Sequence, residues 1–251
     1  ERLLNGFEDQ TRSYSSDNDF NDLIFYVSAN PWEGVETNNI PVVTPSVDRD
    51  GDGISDESDD FPDDPLRATR NTYLGALAYE DLWPAEGDYD FNDMVIDYEI
   101  DHILNGTNLL VDIEADWTIK GVFAAHSNGF GIQLNDLPFN EITSIGGVNL
   151  ANNLITLNAN GTEANQSKAT IILYDNVFDA VQASGSAFPH TSPVTTLNTV
   201  VNFGNPVSQS LTGFPPYNPF IFVNGDRSKE VHLPGDTPTE LASAQFFGTG
   251  S

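Results

Sequence analysis

Twelve residues, Asp48-Arg-Asp-Gly-Asp-Gly-Ile-Ser-Asp-Glu-Ser-Asp59, constrain the fold of this chain more than any other stretch. Counted from Asp48, carboxylates fall at positions 1, 3, 5, 9 and 12, as Asp48, Asp50, Asp52, Asp56 and Asp59. Gly53 takes position 6, where the chain must turn sharply, and Ile54 offers a backbone carbonyl at position 7. That is the spacing with which a calcium loop of the EF-hand kind wraps oxygen atoms around one cation. Position 12 is Asp59 where such a loop carries glutamate, and Pro41, Pro45, Pro62 and Pro65 forbid long flanking helices. The loop is therefore expected inside an acid-rich, proline-rich insert, residues 38–66, that is ordered by metal and is not half of an EF-hand pair.

The rest of the composition agrees with metal. Asp and Glu number 38 against 9 Lys and Arg, a formal net charge of −29. A compact chain so charged repels itself unless many carboxylates gather around cations. The same charge excludes nucleic acid and anionic membrane surfaces as partners. No cysteine is present, which removes disulfides, thiolate zinc sites and a Cys nucleophile together. With oxygen ligands alone, several calcium ions fit better than zinc, copper or magnesium. Such sites fill where calcium is millimolar, which points to an extracellular location or a bacterial cell surface. No run approaches the roughly 20 apolar residues of a membrane helix, so direct membrane insertion is not expected. Beginning at Glu1 without Met, the chain reads as a mature or excised, monomeric module of a larger protein.

Apolar runs rich in β-branched and aromatic residues recur at 23–27, 94–100, 109–123, 129–134, 169–174, 196–203 and 220–223, each bounded by Gly, Pro, Asn or Asp. Only residues 73–82 pass as a short helix. The expected class is all-β, a β-sandwich of jelly-roll-like form carrying the acid-rich insert. Its expected organisation is an N-terminal strand segment at 1–37 packing on the main body, the insert at 38–66 and the main sandwich at 67–251.

An internal repeat adds two further metal candidates. Phe7-Glu8-Asp9 followed by Asp17-Asn-Asp19-Phe-Asn21-Asp22 and an apolar run is echoed by Tyr79-Glu80-Asp81 followed by Asp88-Tyr-Asp90-Phe-Asn92-Asp93 and Met94-Val-Ile. Alternate side chains of an extended loop point the same way, so Asp17, Asp19 and Asn21, or Asp88, Asp90 and Asn92, can converge on one ion. Glu8 with Asp9, or Glu80 with Asp81, could supply the remaining oxygens. Phe20 and Phe91 are then expected to anchor their loops in the core. The two loops are expected near each other at one end of the sandwich, as its functional face.

Several motifs carry resemblances. Asp48-x-Asp-x-Asp-Gly-x-x-Asp-x-x-Asp59 with the trailing Asp-Phe-Pro-Asp-Asp-Pro65 resembles a thrombospondin type 3 repeat. Residues 79–98, with Gly129-Phe-Gly-Ile, Gln166-Ser-Lys-Ala, Asn218-Pro-Phe-Ile and Glu230-Val-His-Leu-Pro, resemble the LruC-domain family of bacterial exported proteins. The resemblance implies export or surface display and names no activity. Gly6-Phe-Glu-Asp through Asp22 is similar to a calcium motif of large bacterial adhesins, some of whose domains hold a peptide or sugar through calcium. That likeness implies ion ligation by Asp17, Asp19, Asn21 and Asp22 and by their repeat equivalents Asp88, Asp90, Asn92 and Asp93.

Together these observations favour a calcium-dependent module that binds a peptide or carbohydrate on another cell or matrix; a purely structural, calcium-stiffened spacer or matrix protein is the alternative. Trp83, beside Pro84 in the loop leading to the second repeat, is the ring best placed to meet a ligand, while Trp117 lies in a strand-like run and is expected in the core. Arg227 could grip a ligand carboxylate with Asp226 beside it, or balance nearby acids within a hairpin. A hydrolase is the weakest reading: His102, His126, His190 and His232 are scattered, and neither a His-Glu-x-x-His helix nor a Gly-x-Ser-x-Gly elbow is present. An enzyme is not expected.

Overall fold

The computed structural model describes residues 3–7, 23–31, 34–36, 47–84, 87–181 and 195–246. The chain divides into two compact units, residues 1–45 and 46–251, so the acid-rich loop at 48–59 groups with the second unit. In the first unit β1 (Leu3–Phe7) and β2 (Leu23–Val27) form an antiparallel hairpin with Leu3 opposite Val27. Phe7 stacks on Phe25 at 5.6 Å between ring centroids.

The second unit is a sandwich of two antiparallel sheets. One runs in the order β3 (Thr69–Tyr79), β4 (Met94–Leu104), β5 (Leu110–Gly121), β9 (Thr195–Val207), β7 (Ile142–Gly146). The other runs β11 (Glu230–His232), β10 (Asn218–Phe222), β6 (Gly129–Pro138), β8 (Lys168–Tyr174). Period-two alternation aims Met94, Ile96 and Ile100 of β4 and Ala115, Trp117 and Ile119 of β5 at the core. There Trp117 meets the ring of Phe130 edge-on at 5.4 Å, joining the two sheets.

β8 and β10 are apolar without alternation because both their faces are covered. Ile171 and Ile221 join the main core, while Ile172, Phe220 and Phe222 form a second cluster under Leu150 and Ile155. Residues 73–82, which pass as a short helix by composition, are instead mostly strand: β3 pairs with β4 at every position from Thr69 opposite Leu104 to Tyr79 opposite Met94. Full-length pairing overrides the helix-forming Ala and Leu of that stretch. No helix among the described residues is long and apolar enough to cross a membrane.

Candidate metal centres and the groove beside them

In the loop at 48–59, the carboxylates of Asp48, Asp50 and Asp52 bring one oxygen each to within 4.8 Å of one another. The loop holds its shape through its own aspartates. Asp48 accepts the Gly51 N–H at 2.8 Å and the Gly53 N–H at 3.2 Å, Asp50 accepts that of Asp52 at 3.2 Å, and Asp52 accepts that of Ile54 at 2.7 Å. Gly51 and Gly53 sit at φ of +80° and +99°, where a side chain would be strained. After these bonds, Asp50 Oδ2 and Asp52 Oδ2 remain buried without a hydrogen-bond partner among the described residues. Burial lifts the Asp50 carboxyl above its ordinary value, and repulsion from Asp52, Asp59 and Asp48 adds to the rise against the Asp52 N–H. Orphaned carboxylate oxygens crowded together are what a divalent cation relieves.

Asp56 lies outside the convergent trio. It accepts the Arg49 N–H at 2.9 Å and pairs with the Arg49 guanidinium at 2.7 Å, because the one cationic side chain of the loop lies against it. Asp59 accepts the Phe61 N–H at 2.7 Å yet is near enough to be felt by Asp50. The loop rests on the β4–β5 turn, where a Cβ on Gly106 would lie 2.6 Å from the Asp52 carbonyl oxygen.

The second centre lies where β3 ends and β4 begins. Glu80, Asp88 and Asp90 bring one carboxylate oxygen each to within 4.8 Å of one another. Glu80 and the motif's remaining acids also clasp its two strands. Glu80 accepts the Phe91 N–H at 2.6 Å, Asp93 accepts the Asp81 N–H at 2.8 Å, and Asp81 accepts from the Asn128 amide at 2.8 Å with His126 Nδ1 at 3.1 Å. Asn92 donates its amide to Asp90. Asp81 and Asp93 lie outside the convergent trio, with oxygens bonded across the clasp. Burial raises the Asp93 carboxyl to about 6, with Asp81, Glu80 and Asp88 pushing the same way against the Asp81 N–H. The equivalent N-terminal motif, with Glu8, Asp9, Asp17, Asp19, Asn21 and Asp22, lies outside the described residues, as do Phe20, Trp32 and His190.

Phe91 is not an anchor. It is 49% exposed, with φ of +52°, and Tyr89 is 50% exposed with φ of +59°. The left-handed backbone at both residues turns the rings out instead of in. Trp83 is 51% exposed, as expected, and Trp117 is buried, whereas Tyr217 is buried with its hydroxyl on His102 at 2.7 Å. Trp83, Pro84, Phe91 and Phe246 wall a groove of about 300 Å³ that also takes in Tyr79, Glu80, Asp236 and residues 230–235. The groove opens between the edge strands of the two sheets, β3 and β11. Tyr79, which lines it, is 2% exposed, and its hydroxyl has no hydrogen-bond partner among the described residues.

Arg227 and Asp226 do not form a ligand grip. The guanidinium is buried, with Nε 2.6 Å and Nη2 2.8 Å from the Glu163 carboxylate and Nη1 2.6 Å from Glu230, over the Phe220 and Phe222 rings at 5.0 and 5.2 Å. Two buried carboxylates require an internal cation, which keeps Arg227 inside. Asp226 accepts from the N–H and hydroxyl of Ser228, closing the turn. Sequence reasoning missed Glu163, Gln166 and Thr239, which complete this network; no local motif joins residues so far apart.

Residues 108–251, more than half of the chain, match the family described as "Domain of unknown function (DUF4842)". No curated protein matches. A structural likeness to a candidate lipoprotein from Bacteroides ovatus has 17% sequence identity and a TM-score of 0.43, covering 70% of this chain and 57% of that one. The chain thus spans little more than half the length of that protein.

Proposed function

The chain belongs to the DUF4842 family, a membership that assigns no activity, and we propose that it is a calcium-dependent ligand-binding module of a bacterial protein exported or displayed at the cell surface. The observation that carries this reading is the convergence of Glu80, Asp88 and Asp90, of which Glu80 also lines a groove walled by half-exposed rings. A cation there, held by three carboxylates, would keep coordination positions for oxygen atoms of a ligand, since calcium takes about six to eight.

The loop at 48–59 has a different role in this proposal. Its orphaned oxygens are buried and it rests on the β4–β5 turn, so its ion stiffens the body. That arrangement also supports the second reading, a purely structural calcium protein. The likeness of this loop to a thrombospondin type 3 repeat, of the N-terminal motif to adhesin calcium motifs, and of the chain to LruC-domain proteins supports calcium and display outside the cell. The N-terminal repeat would take a third ion through Asp17, Asp19 and Asn21.

Thermal melts in calcium, magnesium and chelator test the proposal. Calcium, more than magnesium, should raise the melting temperature, with the rise cut by Asp52→Asn and, to a lesser degree, by Glu80→Gln. A rise that magnesium matches and neither variant reduces would overturn it.

A further inference from the structure

We infer that the groove between β3 and β11 is a carbohydrate site in which a neutral sugar ring lies against Trp83 and Phe91 while neighbouring hydroxyls reach the cation at Glu80, Asp88 and Asp90. The inference rests on the calcium reading above and adds the ligand class. At about 300 Å³ the groove lies at the small end of small-molecule sites, which span roughly 300–1,000 Å³.

The polar groups of the groove define what can fill it. Glu80 and Asp236 offer carboxylate oxygens, so the occupant must donate hydrogen bonds. Tyr79 lines the groove almost wholly buried, and its hydroxyl lacks a partner among the described residues, so an occupant that accepts a hydrogen bond there would satisfy it. Hydroxyl groups do both without charge. The sugar's apolar face then suits the rings of Trp83 and Phe91, which are about half exposed and belong to the same loop as the cation ligands.

An anionic peptide fits worse. The chain carries a net charge of −29, and His232, which lines the groove, has Asn218 Oδ1 at 2.5 Å from Nδ1 and Glu230 at 2.8 Å from Nε2. A peptide adding a strand fits worse too. The β11 edge is three residues long and ends beside Pro234, while Pro84, which has no N–H, forms another wall.

The phi values of Tyr89 and Phe91 point the same way. Two exposed aromatic residues held in the left-handed region are costly without a gain elsewhere, and such outliers gather at binding sites.

The full chain should be probed against arrays of neutral oligosaccharides and of peptides, in millimolar calcium and in chelator, as the native sequence and as Trp83→Ala, Tyr79→Phe and Glu80→Gln. The expected result is binding to a subset of sugars that chelator abolishes. Trp83→Ala should weaken it about tenfold or more, and Tyr79→Phe by about three- to tenfold, the worth of one hydrogen bond. Both variants should keep the calcium-dependent rise in melting temperature, which separates this inference from the calcium reading. If calcium raises the melting temperature but no sugar binds, or a peptide binds through Trp83, the carbohydrate assignment is overturned while the calcium reading stands. If Glu80→Gln binds sugar as the native chain does, the cation has no part in the site and the inference fails.

Discussion

Glu80 accepts the backbone N–H of Phe91 at 2.6 Å, tying the end of β3 to the start of β4 across the acidic loop between them. The partner bond from the Asp81 N–H to Asp93 closes the clasp from the other side. The repeated aromatic-Glu-Asp and Asp-x-Asp-Phe-Asn-Asp spacing therefore performs two tasks in one motif. Glu80 and Asp93 fix the backbone, and Glu80 also joins Asp88 and Asp90 at the candidate cation site.

Gly106 couples the first loop to the sandwich. An added Cβ would meet the Asp52 carbonyl oxygen at 2.6 Å, and backbone cannot yield as a side-chain end can. Gly106→Ala should strain the contact by about 1–3 kcal/mol and weaken calcium binding at Asp48, Asp50 and Asp52 without removing a ligand. Calcium titration of the variant by calorimetry checks this; unchanged affinity would mean that the loop and the turn are independent.

Arg227 balances the buried carboxylates of Glu163 and Glu230. Arg227→Met should destabilise the chain by about 3–5 kcal/mol, because it leaves two buried acids without their cation. Urea unfolding at neutral pH measures the loss. Arg227→Lys should recover only part of the stability, since an ammonium cannot reproduce the two bonds of the guanidinium to Glu163.

Glu230 sets a pH dependence. Burial alone would raise its carboxyl, but the bond to His232, the charge of Arg227 and the bonds from Thr239 outweigh burial and hold it below the ordinary value of 4.5. A carboxyl depressed in the folded state binds fewer protons there than in the unfolded chain. Its contribution is therefore complete above about 4.5 and is lost as pH falls below that value toward the folded one. Urea unfolding from pH 6 to pH 3 in chelator should show that loss, and Glu230→Gln should flatten the low-pH limb. An unchanged slope in the variant would assign the loss to other acids.

Thr199 accepts the Trp117 indole N–H at 3.0 Å inside the core. Thr199→Val keeps the volume and removes the acceptor, so it should cost about 1–3 kcal/mol, the penalty of an orphaned buried donor. Guanidinium unfolding gives the value.

Much of this fold is legible in the sequence, and the reasons differ by element. β2, β4, β5, β6, β8, β9 and β10 announce themselves because their apolar runs end at Gly, Pro, Asn or Asp. β3 does not, since Gly75-Ala-Leu-Ala78 has no β-branched residue and only pairing with β4 makes it a strand. β7 and β11, at five and three residues, are too short to show a period. Among the candidate ligands, spacing finds Asp48, Asp50 and Asp52 because consecutive odd positions of a tight loop must converge. Spacing alone cannot tell that Asp56 turns to Arg49, or that Asp81 and Asp93 serve the clasp, because both outcomes depend on neighbours that only folding supplies. Alternation places Phe91 inward, and it fails where the backbone turns left-handed.

A crystal structure of the chain grown in millimolar calcium, with anomalous scattering used to locate the ions, tests the central claim most directly. A calcium peak is expected between Asp48, Asp50 and Asp52 and another between Glu80, Asp88 and Asp90, each about 2.3–2.6 Å from the carboxylate oxygens. Water or open solvent at both positions under those conditions would contradict it.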